Sequence, residues 1–184
     1  MKIHIFSRKK DGGVTFETMI TPHMERLYRL SFHYTKNRAD AEDLVQDLLI
    51  KLYPRCDELR KVEHLRPWLA KVLNRLYIDK YRRQQRNPVQ YGYDESSATA
   101  PHSASILLSP EKTNLARDIH KAMTQLNDDQ RMLVVMHDIE GYTLTELEAI
   151  FETPLGTLKS RLHRSRAKLR NLLTDGTQLT RRSC

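Results

Sequence analysis

Cysteine is almost missing from this chain of 184 residues. The two that occur, Cys56 and Cys184, lie far apart and belong to no Cys-x-x-Cys or Cys/His spacing, which argues against a disulfide framework and a zinc fold. Glycine is also sparse, and none of the six falls in a phosphate-cradling loop. The eight histidines are scattered, so neither a metal nor a cofactor is expected. No apolar run reaches the roughly 18 residues that span a bilayer, and the first residues lack the apolar core of a secretory signal. Direct membrane insertion is therefore not expected, and a reducing, cytoplasmic setting is. Without an ordered Ser/His/Asp set, ligand spacing or nucleotide loop, the chain does not read as an enzyme.

Positive charge is what the chain has in excess. It carries 31 Lys and Arg against 23 Asp and Glu, a net +8, which points to a polyanionic partner. An evenly basic surface would serve only solubility, but here the cations gather near residues 80–86 and 159–170. A charged fraction of 29% beside a hydrophobic fraction of 39% suits small helical domains better than one large core.

The chain divides into five parts. Residues 1–20, with the alternation Ile3, His4, Ile5, Phe6 and then Gly12 and Gly13, read as a leader with one edge strand. Residues 21–86 are helical throughout. Leu27, Leu30 and Tyr34 space one helix, and Asp40 with Asp43 predicts the start of the next, carboxylates at the positive end of its dipole. Leu44, Val45, Leu48, Leu49 and Leu52 form that helix's apolar face, and Pro54 stops it. Pro67 opens a further helix offering Leu69, Val72, Leu73, Leu76, Ile78 and Tyr81 for burial, with a basic far end. Residues 87–109 lack periodicity and read as a flexible linker. Residues 110–173 resume helices: one with Leu115, Ile119, Met123 and Leu126 on a side, one capped at residues 127–129 and carrying Met132, Leu133 and Met136. Residues 174–184 read as a disordered tail. The fold class is all-α, two small helical domains on a linker.

The most informative stretch is residues 143–173. Thr143 with Glu146 has capping-box spacing, predicting a helix from Leu144. Thr153 before Pro154 predicts a second start, a hydroxyl N-cap followed by proline at the first helical position. Leu155, Leu158, Leu162, Leu169 and Leu172 then fall at spacings of three, four or seven, a single buried stripe. Lys159, Arg161, His163, Arg164, Arg166, Lys168 and Arg170 occupy the other faces. A helix packed along one edge and cationic elsewhere suits the DNA major groove, so the pair reads as a helix-turn-helix. Thr157, Lys159, Ser160, His163 and Arg164 are expected to face bases, and Arg161, Arg166 and Lys168 phosphates. The N–H groups near Gly156 and Thr157 are further phosphate donors.

Both halves resemble one family. The run Asp40, Ala41, Glu42, Asp43, Leu44, Val45, Gln46, Asp47 resembles the core-binding helix of bacterial RNA polymerase sigma factors of the extracytoplasmic-function (group 4) type. Trp68 and Leu69, followed by Asp79, Arg82 and Arg83, resemble the helix these proteins set against the promoter minus-ten element. Leu126, Gln130, Arg131, Glu140, Gly141 and the run from Pro154 through Gly156, Thr157, Lys159 and Ser160 to Arg164, with Ala167 after it, resemble their minus-thirty-five domain. The match leaves out the leader, linker and tail. Three positions depart from the pattern: Asn74 and Arg75 stand where the family often has Arg-Asn, Glu148 where it has a small residue, and Glu152 where it has a turn glycine.

The resemblance implies roles that residue types alone leave open. An acidic helix start is most often just a solvated face, but here Asp40, Glu42, Asp43, Gln46 and Asp47 are implied to dock on core RNA polymerase, where charge steers encounter and register. Asn74, Arg75, Lys80, Arg82 and Arg83 are implied to meet minus-ten DNA, with the connection from Tyr53 to His64 holding an unstacked base. The implied function is promoter recognition, promoter opening and transcription initiation, with promoter DNA and core polymerase as partners and an anti-sigma protein as regulator. An autonomous helix-turn-helix regulator is the competing reading, and it leaves the acidic helix without a role.

Overall fold

The computed structural model describes residues 15–86 and 110–181, with side chains over 15–80 and 116–174. These form two compact helical units, one on either side of residues 87–109. The edge strand expected near Ile3, the linker at 87–109 and the last three residues lie outside the described ones.

The first unit begins earlier than residue 21. Thr15 caps helix α1 (Phe16–Ile20) by accepting the Thr18 N–H, and Phe16 and Ile20 are buried. A 3-10 turn over Thr21–His23 leads into α2 (Met24–Thr35), which Lys36 ends in the left-handed conformation at φ 57°. Asn37, not Asp40, then caps α3 (Arg38–Leu52): its Oδ1 accepts the N–H groups of Ala39 at 2.8 Å and Asp40 at 3.2 Å. All five residues expected on the apolar face of α3 are buried, together with Ala41. After a 3-10 turn (Tyr53–Arg55) and the short α4 (Cys56–Leu59), α5 spans Leu65–Arg86. Pro67 sits inside its first turn rather than opening it, where the missing N–H still costs nothing.

Helices α2, α3 and α5 pack on one another, with Leu27, Leu30, Leu48, Leu52, Leu69 and Leu73 between them. A polar bond crosses this core. Tyr34 Oη donates to Asn74 Oδ1 at 2.9 Å, and the Tyr34 ring stacks on Tyr77 with centroids 4.6 Å apart.

In the second unit, α6 (Pro110–Thr124) precedes α7 (Asp128–Val134), which opens with a capping box between Asn127 and Gln130. α7 runs on as a π-turn over Val135–Ile139, closed by the Glu140 N–H on the Val135 carbonyl at 2.9 Å. Gly141, at φ 69°, turns the chain into α8 (Leu144–Phe151), and the expected capping box of Thr143 and Glu146 is formed. α9 spans Leu155–Arg181, so the backbone stays helical beyond residue 173, where the sequence pattern ends. α9 packs on α6, α7 and α8. The core holds Ala122, Leu126, Met132 to Met136, Leu147, Ile150, Leu158 and Leu162. Ile119, expected inside, is 43% exposed; Ala122 takes the buried position on that helix.

Ser31 is fully buried in α2 and its Oγ has no hydrogen-bond partner. A buried, unanswered hydroxyl opposes folding, and alanine is the better helix former. Ser31→Ala is therefore expected to stabilise the first unit by about 1 kcal/mol, read as a higher denaturant midpoint with an unchanged slope.

Candidate nucleic-acid interface

The outward side of α9 is built by burial on its other side. Leu158, Leu162 and Ser165 face the core, and Ser165 Oγ turns back to the Arg161 carbonyl at 2.9 Å. That leaves Lys159, Ser160, Arg161, His163, Arg164 and Arg166 exposed and Thr157 half-buried. Two of these side chains lie along the helix: Ser160 Oγ donates to the Thr157 carbonyl at 2.9 Å, and Arg164 Nε to the Ser160 carbonyl at 3.3 Å. The expected base-facing residues thus share one solvent-facing surface.

Two expected phosphate contacts are already engaged inside the unit. Arg166 Nε donates to Asp138 Oδ2 at 3.1 Å, its terminal nitrogen donates to Asp138 Oδ1, and His137 Nδ1 lies beside both groups. Arg166 therefore clamps α9 to the π-turn while its side chain stays half exposed beside the cationic face. Lys168 Nζ likewise donates to the Gln125 carbonyl at the end of α6, at 2.6 Å.

The start of α9 also differs from expectation. Thr153 does not cap it; its hydroxyl donates back to the Phe151 carbonyl at 3.1 Å. The Pro154 carbonyl takes the N–H of Thr157 at 2.9 Å and of Leu158 at 3.1 Å, so the Thr157 N–H is not held for a phosphate. The Leu155 N–H is bonded by Glu148 Oε1, reaching from α8 at 2.9 Å. Glu152, in the glycine position of the turn, adopts the left-handed conformation at φ 53°, ψ 40°, which a side chain makes less favourable.

In the first unit, Asp43, Gln46 and Asp47 are exposed on one stripe of α3, while Asp40 and Glu42 are half-buried beside it. Glu42 pairs with Arg38 at 3.2 Å, and Asp47 with Lys80 of α5 at 3.6 Å. The same stripe carries Ile50, 72% exposed, with exposed Tyr53 at its end. Sequence reasoning missed Ile50 by following the core face. The spacing 43, 46, 47, 50 repeats the helical period on the opposite side and would have found it.

On α5, Arg75 is exposed and Lys80 half-buried. Asn74 is not at the surface. It is 5% exposed and its side-chain oxygen accepts from Tyr34, so it stands apart from the exposed residues expected to meet the minus-ten element. Arg82 and Arg83 continue the same helix, their side chains outside the described ones. The connection expected to hold a base is the turn and short helix after Tyr53, where Arg55 lies over the Trp68 ring at 5.8 Å and pairs with Glu58 at 2.6 Å. Among the described residues no His, Cys, Asp and Glu gather as metal ligands, and no helix is long and apolar enough to cross a membrane.

An acidic helix face in one helical unit and an outward cationic helix in a helix-turn-helix of the next define a two-module DNA-binding protein. Residues 19–87 match the family described as Sigma-70 region 2, and residues 116–169 match Sigma-70, region 4. RNA polymerase sigma factor SigV of Bacillus subtilis is 30% identical, over 91% of this chain and 96% of that protein. SigW of the same organism is 25% identical over 95% and 97%. SigE of Mycolicibacterium smegmatis is 30% identical over 92% of this chain, which spans 65% of that longer protein. Among solved structures, the sigma factor RpoE of Bartonella quintana, in complex with the anti-sigma factor NepR, matches at TM-score 0.68 and 27% identity, over 86% of this chain and 96% of that one. The chain belongs to the extracytoplasmic-function RNA polymerase sigma factors.

The clamp at Asp138 has a pH signature. The Arg166 hydrogen bond holds the Asp138 carboxyl below its ordinary range; partial burial works against this and the His137 hydrogen bond works with it. A carboxyl depressed in the folded state stabilises above its unfolded pKa of about 3.9 and loses that contribution as pH falls through the folded value. Both partners are partly exposed, which limits the pair to about 1 kcal/mol or less. Asp138→Asn is expected to lower the stability of the second unit at neutral pH and to converge with the parent in strong acid. Denaturation midpoints followed from neutral pH down through the carboxylate range check both.

Proposed function

We propose that this chain is a promoter-specificity subunit that carries no chemistry of its own and acts in the cytoplasm on core RNA polymerase. The exposed stripe of Asp43, Gln46 and Asp47, flanked by Asp40 and Glu42, docks on basic groups of the polymerase. Ile50 standing in water on that stripe supports the reading, since an exposed apolar residue among carboxylates suits the centre of an interface with a charged rim. In the same proposal Arg75, Lys80, Arg82 and Arg83 of α5 meet the minus-ten element, and Thr157, Lys159, Ser160, Arg161, His163 and Arg164 of α9 meet the minus-thirty-five element. The observation that carries the reading is the outward cationic face of α9 behind a formed helix-turn-helix, on a chain that also bears the acidic α3 face. Two modest DNA contacts on one chain raise each other's effective concentration, so neither has to be tight. A solved relative bound to an anti-sigma factor supports control of this chain by such a protein.

Run-off transcription with purified core enzyme over a genomic fragment library tests the proposal. Specific transcripts that need this chain are expected; failure to join core enzyme, or joining without initiating anywhere, rejects it. Arg164→Ala is expected to weaken binding to the minus-thirty-five sequence by about 1–3 kcal/mol and to relax preference at one base position. A gel-shift series with single-base variants reads both effects, and an unchanged preference removes Arg164 from the base-reading set.

A further inference from the structure

Two carboxylates, Glu148 and Glu152, stand at the turn of the helix-turn-helix, and they do different things. Glu152 adopts the turn conformation. Glu148 reaches forward across the turn, its Oε1 accepting the N–H of Leu155, the first residue of α9. Pro154 has no N–H, the Thr157 N–H is bonded to the Pro154 carbonyl, and the Thr153 hydroxyl faces Phe151. Glu148 is therefore the side chain that caps α9, and it does so from the other helix of the motif.

An anion in this place acts in two ways. It ties the start of α9 to α8, which fixes the angle from which the side chains of Thr157 to Arg164 are presented. It also takes the position a DNA phosphate would favour, since helix N–H groups and the positive dipole end attract any anion nearby. The next residue, Gly156, is open, since a Cβ there would meet nothing within 4 Å. What opposes a phosphate at this end of α9 is the resident charge.

We propose that Glu148 is a positioning residue that also sets specificity: it anchors α9 and, by holding phosphate off the helix's positive end, lowers sequence-independent attraction to DNA. Promoter choice then depends more heavily on the base-facing side chains. This rests on the promoter-recognition reading above.

The test uses the full chain bound to core polymerase, a promoter template, and the same template with its minus-thirty-five element scrambled, each over a range of salt. Glu148→Gln keeps an oxygen for the Leu155 N–H and removes only the charge. It is expected to bind the scrambled template about two- to fivefold more tightly, to narrow the ratio between the two templates, and to steepen the log–log salt dependence by about 0.9, the value of one added phosphate contact. Glu148→Ala loses the cap as well and is expected to melt earlier and bind both templates less well. A merely structural Glu148 would leave the Gln variant unchanged in ratio and salt slope while only the Ala variant suffers. That result, with transcription intact, overturns this inference and leaves the promoter reading standing. A parent protein that starts no transcript and shows no template preference overturns both.

Discussion

A DNA-reading helix has to be dry along one edge and wet around the rest of its circumference, and the second unit is organised by that requirement on α9. The dry edge is narrow: Leu158, Leu162 and Ser165 are buried, while the residues between them are exposed and mostly cationic. Rotating the helix would bury a guanidinium, which costs several kcal/mol, so its phase is locked by charge as firmly as by packing. Ser165 sits where the leucine pattern skips a turn, and its small side chain, bonded to its own helix, lets the neighbouring helices approach. The remaining contacts set the angle: Glu148 at the start of the helix, Asp138 at Arg166, and the Gln125 carbonyl at Lys168.

In the first unit the two proposed surfaces adjoin over a shared core. Asn74 and Tyr34 give that core a directional bond, and it fixes the phase of α5 against α2. Lys80, proposed to face DNA, pairs across 3.6 Å with Asp47, proposed to face polymerase. An exposed pair of this kind is worth about 0–1 kcal/mol, so either partner can be surrendered to a stronger external charge at little cost.

Helix period and capping spacing made much of this legible beforehand. The buried face of α3 and the capping box of α8 follow from local rules acting over three or four residues, and both form as expected. Failures come where the deciding partner is remote. Asn74 looked available beside Arg75, and only a phenol forty residues away in sequence shows it to be internal. The internal partner of Arg166 was equally hidden, because that carboxylate comes from a turn 28 residues earlier. The start of α3 moved from Asp40 to Asn37 because Lys36, left-handed, turns the chain so that the amide reaches the first N–H groups. Glu148 could be seen as unusual, but its bond to Leu155 depends on how the turn brings α8 and α9 together.

The wide turn at Val135–Ile139 adds something that substitution alone would not reveal. Each residue of a helix advances the phase by about 100°, so a single deletion there, converting the wide ring to an ordinary one, would swing the following backbone a quarter-turn or more. Asp138 would point away from Arg166, and Gly141 would aim α8 elsewhere. The length of this segment is therefore a constraint of its own, separate from the burial of Val135 and Met136 and the pairing of Asp138.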